Sequence, residues 1–233
     1  MSLTFEALVA ESHPDTHAPP DFSGHGAHSV RVSSRGLGWG ALNFERRDYR
    51  PSSRALARGS SEHLIFVGLT TGRVVCDRGG ERVEHELSPG CVALVPAHTP
   101  VSWSWSTRIS LSVLRLDPRF LDRVAKSAFG LEPHDYRLVV AERSYDTAVT
   151  NIAGVLAREA LRGERGGQVY AESLASILAV HLLRQYAQRA DGRALDSSPP
   201  REETTPTAPP EAGNRNAAHP RAVSDALEFI HAN

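Results

Sequence analysis

The stretch Arg73–His85, RVVCDRGGERVEH, constrains the fold more than any other part of the sequence. Two adjacent glycines supply the positive φ angles that a two-residue hairpin turn requires. With Gly79-Gly80 as that turn, Arg78 faces Glu81 and Asp77 faces Arg82, two opposite-charge pairs across the strands. The same register sets Val74, Cys76, Val83, His85 and Leu87 on one face. Arg73, Asp77, Arg82, Glu84 and Glu86 fall on the other. A slip of one residue would exchange the faces, so the apolar side fixes the pairing. Ser88-Pro89-Gly90 then turns the chain into Cys91–Val95.

Similar short segments surround this hairpin. Trp39–Arg46, His63–Leu69, Ser102–Trp105 and Ser110–Leu116 are apolar or alternating runs bounded by turn residues, as in a sandwich or barrel. The period changes after Leu116. Asp117 followed by Pro118 is a capped helix start, and Gly130 is its expected stop. Longer helices are predicted over Tyr145–Leu161 and Gln168–Arg189, separated by the breaker Arg162–Gly167, RGERGG. Their near-equal length around a short turn reads as an antiparallel hairpin. In the second helix Leu174, Ile177, Leu178, His181 and Leu182 share a stripe that must be buried on the barrel or on a second copy.

The two ends read differently. Residues 1–29 hold His, Pro and Gly with little apolar patterning, a disordered leader. Residues 191–220 hold six of the fifteen prolines among Ser, Thr, Glu and Ala, an extended linker. Arg221–Asn233 beyond it has one apolar face, of Val223, Ala226, Leu227 and Ile230. A helix that short is marginal alone and is expected to start a larger helical domain. The predicted class is therefore α+β: a barrel or sandwich over residues 30–190 ending in a helix hairpin, then a linker, then the start of a helical domain.

Charge and cysteine content exclude several functions. With 26 Lys+Arg against 27 Asp+Glu, the net charge of −1 is wrong for a protein that coats nucleic acid. No apolar run approaches a membrane span, and two cysteines make no disulfide framework, which points to the cytoplasm. Gly36, Gly38 and Gly40 lack the dinucleotide spacing, and no nucleophile elbow or phosphate loop is present, so no catalytic residue is assigned.

Three stretches carry a family resemblance. LSPGCVALVPAHTP resembles the turn-and-strand segment of the cupin-like sensor barrel in AraC-type transcriptional regulators. GGQVYAESLASILAVHLLRQYA resembles the helix that closes this sensor domain, and RAVSDALEFIHAN resembles the first helix of the family's helix-turn-helix domain, cut off early. The resemblance covers about Trp39–Arg189 and Arg221–Asn233. It implies the effector-sensing and dimerising part of a DNA-binding transcription regulator. Promoter DNA and RNA polymerase would be engaged only through the missing helices, so no DNA-binding residue is assigned. A small cupin-like enzyme or isomerase, or a sugar-binding protein, is the alternative.

On this reading the effector, a sugar or another small polar or aromatic compound, sits in the barrel. His85 on the inward hairpin face could hydrogen-bond it, or be a satisfied core histidine. Trp103 and Trp105, two apart on one strand face, could form a stacking wall, or be core. His98 in a loop at the barrel mouth and Arg115 on the last strand, as a partner for a carboxylate, complete the candidates. A homodimer seam is expected on Leu174, Ile177, Leu178 and His181. His85 and His98 alone cannot complete a coordination shell, so neither metal nor other cofactor is expected.

Overall fold

The computed structural model describes residues 28–193 and 195. Twelve strands and three helices are found among them. A six-stranded antiparallel sheet contains β1 (His28–Ser33), β2 (Leu42–Tyr49), β4 (His63–Gly68), β7 (Cys91–Val95), β9 (Ile109–Leu116) and β11 (Ala141–Tyr145), in the order β1-β2-β9-β4-β7-β11. A four-stranded sheet of β3 (Ser52–Arg58), β5 (Gly72–Arg78), β6 (Glu81–Leu87) and β8 (Pro100–Trp105) has the order β3-β8-β5-β6. The expected α+β arrangement, a two-sheet sandwich followed by helices, is what the chain forms.

The hairpin register is the one its charges specify. Arg78 is opposite Glu81, Asp77 opposite Arg82 and Val74 opposite His85. The charged face is largely exposed, and Val83 near the turn is exposed as well. Strand β9 lies at the centre of the large sheet, and both its faces are covered. Ile109, Leu111 and Val113 point between the sheets, whereas Leu114 and Leu116 point toward the helices.

Helix α1 (Pro118–Phe129) starts and stops where its caps dictate. The Asp117 side chain accepts the Arg119 amide, and Gly130 closes the helix at φ 66°. Helices α2 (Thr147–Arg162) and α3 (Gly167–Tyr186) pack with α1 on the outer face of the large sheet. Among the described residues no helix is long and apolar enough to cross a membrane.

Several boundaries differ from expectation, each for a local reason. The strand expected at Trp39–Arg46 runs from Leu42 to Tyr49, because Gly40 turns at φ 55° and Arg47–Tyr49 pair with Ile109–Leu111. His28 and Ser29, placed in the leader, belong to β1 and pair with Tyr49 and Asp48. Tyr145, expected to open a helix, ends β11 instead. The helix opens just beyond it because Asp146 caps it, accepting the Val149 amide. The following helix stops at Tyr186, not Arg189, because Ala187–Arg189 form β12 against β10 (Tyr136–Leu138). The remainder of the leader and linker and the segment 221–233 lie outside the described residues.

Two separate cores result. One joins the outer face of the large sheet to the helices and includes Trp39, Phe44, Ile65, Leu114, Leu156 and Leu178. The other fills the space between the sheets and includes Tyr49, Leu64, Phe66, Trp105 and Val113.

Candidate functional site

The core between the sheets is incomplete. At one end it opens into a cleft of about 720 Å³, counting the space open to solvent at its mouth. The alternation of each strand supplies the walls. From the large sheet come Tyr49, Phe66, Cys91, Ala93, Ile109 and Leu111; from the small sheet come Val74, Cys76, His85, Glu86, Leu87, Trp103 and Trp105.

Two aromatic pairs bridge the sheets along the cleft. Phe66 and Trp103 meet edge to face, with centroids 4.6 Å apart and planes at 81°. Tyr49 and Trp105 do the same at 5.5 Å and 75°. Such geometry sets the positive edge of one ring on the negative face of the next. Both indole donors are already engaged: Trp103 Nε1 donates to Cys76 Sγ at 2.9 Å, and Trp105 Nε1 donates to the Arg50 carbonyl at 2.7 Å. Burial pushes the Tyr49 phenol up, against the pull of Arg47, so it stays neutral. The surface facing the cleft is almost wholly apolar.

The structure thus brings together three of the five expected ligand-binding residues, His85, Trp103 and Trp105. The other two are elsewhere. His98 lies outside the cleft lining, in the turn between β7 and β8 at φ 62°, where its amide donates to the Ser60 carbonyl. Arg115 shares the inward face of β9 but lies past Val113, away from the cleft. It is 3% exposed and sits between carboxylates, Nη2 at 3.6 Å from Glu45 and Nε at 4.0 Å from Glu62. Glu45 is held in turn by Arg47, whose Nε donates to it at 2.6 Å. Neither carboxylate is within hydrogen-bond distance of Arg115 Nε or Nη2, so both atoms are buried without a hydrogen-bond partner among the described residues, and the residue is not part of the cleft lining.

The expected dimer seam is also corrected. Leu178 is fully buried in the chain's own helix-side core, and Leu174 packs against that core. His181 Nε2 lies 2.6 Å from Asp146 Oδ2, which also accepts from the Tyr186 hydroxyl at 2.8 Å. Ile177 alone of the four is exposed, at 57%. The buried stripe of α3 is carried by Ala171, Ala175, Leu178, Ala179, Leu182 and Leu183.

Tyr49, Phe66 and Ala93 are cleft residues that the sequence reading does not single out. Phe66 is legible as an alternate position in His63–Leu69. Tyr49 is hidden beyond the strand's expected end. Among the described residues, no group of three His, Cys, Asp or Glu converges to hold a metal.

Comparison with known families bears on the same region. The AraC-like ligand binding domain matches residues 41–196, about two-thirds of the chain. The chain belongs to that family. The matched span of the AraC-like domain runs from the start of β2 past β12 and includes every residue of the cleft. No curated protein matches the sequence. Solved structures similar to the AraC-like domain include a cupin domain from Bordetella pertussis Tohama I, 14% identical, covering 40% of this chain and 93% of that one, with a TM-score of 0.32. Another is the EutQ protein of Clostridium difficile, 11% identical over 40% of this chain and 69% of that one, with a TM-score of 0.33. A third is a mutant form of salicylate 1,2-dioxygenase from Pseudoaminobacter salicylatoxidans, 20% identical over 36% of this chain and 23% of that one, with a TM-score of 0.29.

Proposed function

We propose that this chain is the effector-sensing part of an AraC-type transcription regulator of the cytoplasm. The cleft between the sheets holds a small-molecule effector, and the helix pair joins two protomers. The observation that carries the first half is an apolar cleft, bounded by His85, Trp103 and Trp105, within the family's ligand-binding span. Support for the second half is narrower. Tyr170 and Ile177, seven residues apart and so on one side of α3, are 48% and 57% exposed, and Leu161 on α2 is 67% exposed. Covering these between two copies removes apolar surface from water, and a two-fold pair is the commonest arrangement. Promoter DNA and RNA polymerase are then engaged by a separate helix-turn-helix part of the regulator, which paired sensor domains hold at paired half-sites.

A fusion tests the pairing. The chain is joined to a heterologous DNA-binding domain that represses a reporter only as a dimer. Repression is expected, and Ile177→Glu is expected to relieve it while the fusion stays soluble and folded. An unrepressed reporter with the unmodified fusion contradicts the proposal.

A further inference from the structure

Resting on the effector-binding reading, we propose that the cleft is built for a neutral, apolar ligand, neither a sugar nor a carboxylic acid. Three independent observations point this way. The first is the state of the donors. A sugar is recognised by a dense set of hydrogen bonds, and the two indole N–H groups on the cleft wall are consumed by Cys76 and the Arg50 carbonyl. What the tryptophans present is ring, which rewards apolar or aromatic surface.

The second is the desolvation cost. A hydroxyl moved from water into a wall that offers no partner loses its hydrogen bonds without replacement. The surface facing this cleft is almost wholly apolar, with Ala93, Ile109 and Leu111 from the large sheet opposing Val74 and Leu87. A polyhydroxylated ligand would bear that loss at several groups at once. An apolar ligand of the same volume bears it at none and gains the burial term.

The third is the charge. Arg115 and Arg47, the buried cations of the barrel interior, are not cleft residues and already face Glu45. Glu86 borders the cleft from the outward face of β6, where it is exposed, and the surface turned to the cleft is almost wholly apolar. A ligand carboxylate entering here meets apolar surface and no arginine or lysine among the described lining residues. The cleft therefore selects against anions as well as against sugars.

The test uses three probes on the full chain, followed by calorimetry at pH 7: 1-decanol, decanoate and glucose. A control variant, Ala93→Phe, fills the cleft from a position where the side chain has room to grow. Saturable binding of 1-decanol is expected, with a negative heat-capacity change. Decanoate should be weaker by about tenfold or more, the order expected for burying an unpaired carboxylate. Glucose should give no heat, and Ala93→Phe should abolish decanol binding with its melting transition retained. Decanoate or glucose binding tighter than decanol, and lost in Ala93→Phe, overturns the apolar assignment and leaves the sensor reading intact. Decanol binding that survives Ala93→Phe, or no decanol binding, also overturns the assignment. The reading of the chain as a regulator fails separately, on the reporter fusion.

Discussion

The two faces of the six-stranded sheet carry cores of opposite character. The helix-side core is closed: Leu42, Phe44, Leu114, Leu121, Leu156 and Leu178 are all fully buried, and alanines at 153, 157, 171, 175 and 179 let helices and sheet approach closely. The inter-sheet core is a mixture of parts. It holds packed aliphatic residues (Leu64, Val95, Val101 and Val113), an aromatic-walled cleft, and a buried ion cluster of Arg47, Glu45 and Arg115 that reaches the cleft wall where Arg47 meets Tyr49. The difference teaches where packing is complete and where it is not. The side facing the helices is packed shut, and the side facing the second sheet leaves volume open.

The sharpest way to break this comparison is to charge the helix side. Leu178→Glu places a carboxylate among fully buried carbons and should cost more than about 4 kcal/mol, leaving little folded protein in denaturant titrations. A folded monomer would show that the residue faces outward. Next is the ion cluster. Glu45→Ala removes the carboxylate shared by two buried guanidiniums and should cost about 3–5 kcal/mol, whereas Arg115→Met, which takes away a charge without stranding Glu45, should be near neutral. Urea midpoints of the two variants decide this; equal losses would contradict the network.

Acid should act on the helix side through His63. Burial pulls its imidazole down to about 4 from the ordinary 6.5, and its Nδ1 accepts the Ala97 amide. Above pH 6.5 the group is neutral in both states and costs nothing. Below that the unfolded chain takes up the proton first, so stability falls until about pH 4, by roughly 2–3 kcal/mol at about 1.4 kcal/mol per unit. His63→Asn should flatten that part of the pH–stability curve. The smallest effect is expected in the cleft. Ala93→Phe should change stability by less than about 1 kcal/mol, while the same change at fully buried Ala179 overpacks and costs about 1–3 kcal/mol or more. Equal costs would mean that the cleft is as tightly closed as the other core.

Legibility in the sequence follows the same division. The Gly79-Gly80 hairpin and the Asp117–Gly130 helix are readable because their turns and caps are local chemistry. Trp103 and Trp105 are readable because a strand puts residues two apart on one face. The surroundings of Arg115 are not readable because the carboxylates nearest it, Glu45 and Glu62, lie more than fifty residues away in sequence. Leu178 misleads because α3 is apolar almost all round, and its buried stripe is carried largely by alanines, which a search for large side chains passes over. Strand β3, SSRALAR, has little β-propensity of its own and takes its conformation from pairing with β8.

The three tryptophans provide the most direct test, since Trp39 lies in the helix-side core while Trp103 and Trp105 line the cleft. Each gives one indole N–H signal in a proton–nitrogen correlation spectrum of the full chain. On titration with 1-decanol the signals of Trp103 and Trp105 should shift together and saturate, with Trp39 unmoved. A shift at Trp39, or none at either cleft tryptophan, would contradict the claim that the space between the sheets is the ligand site.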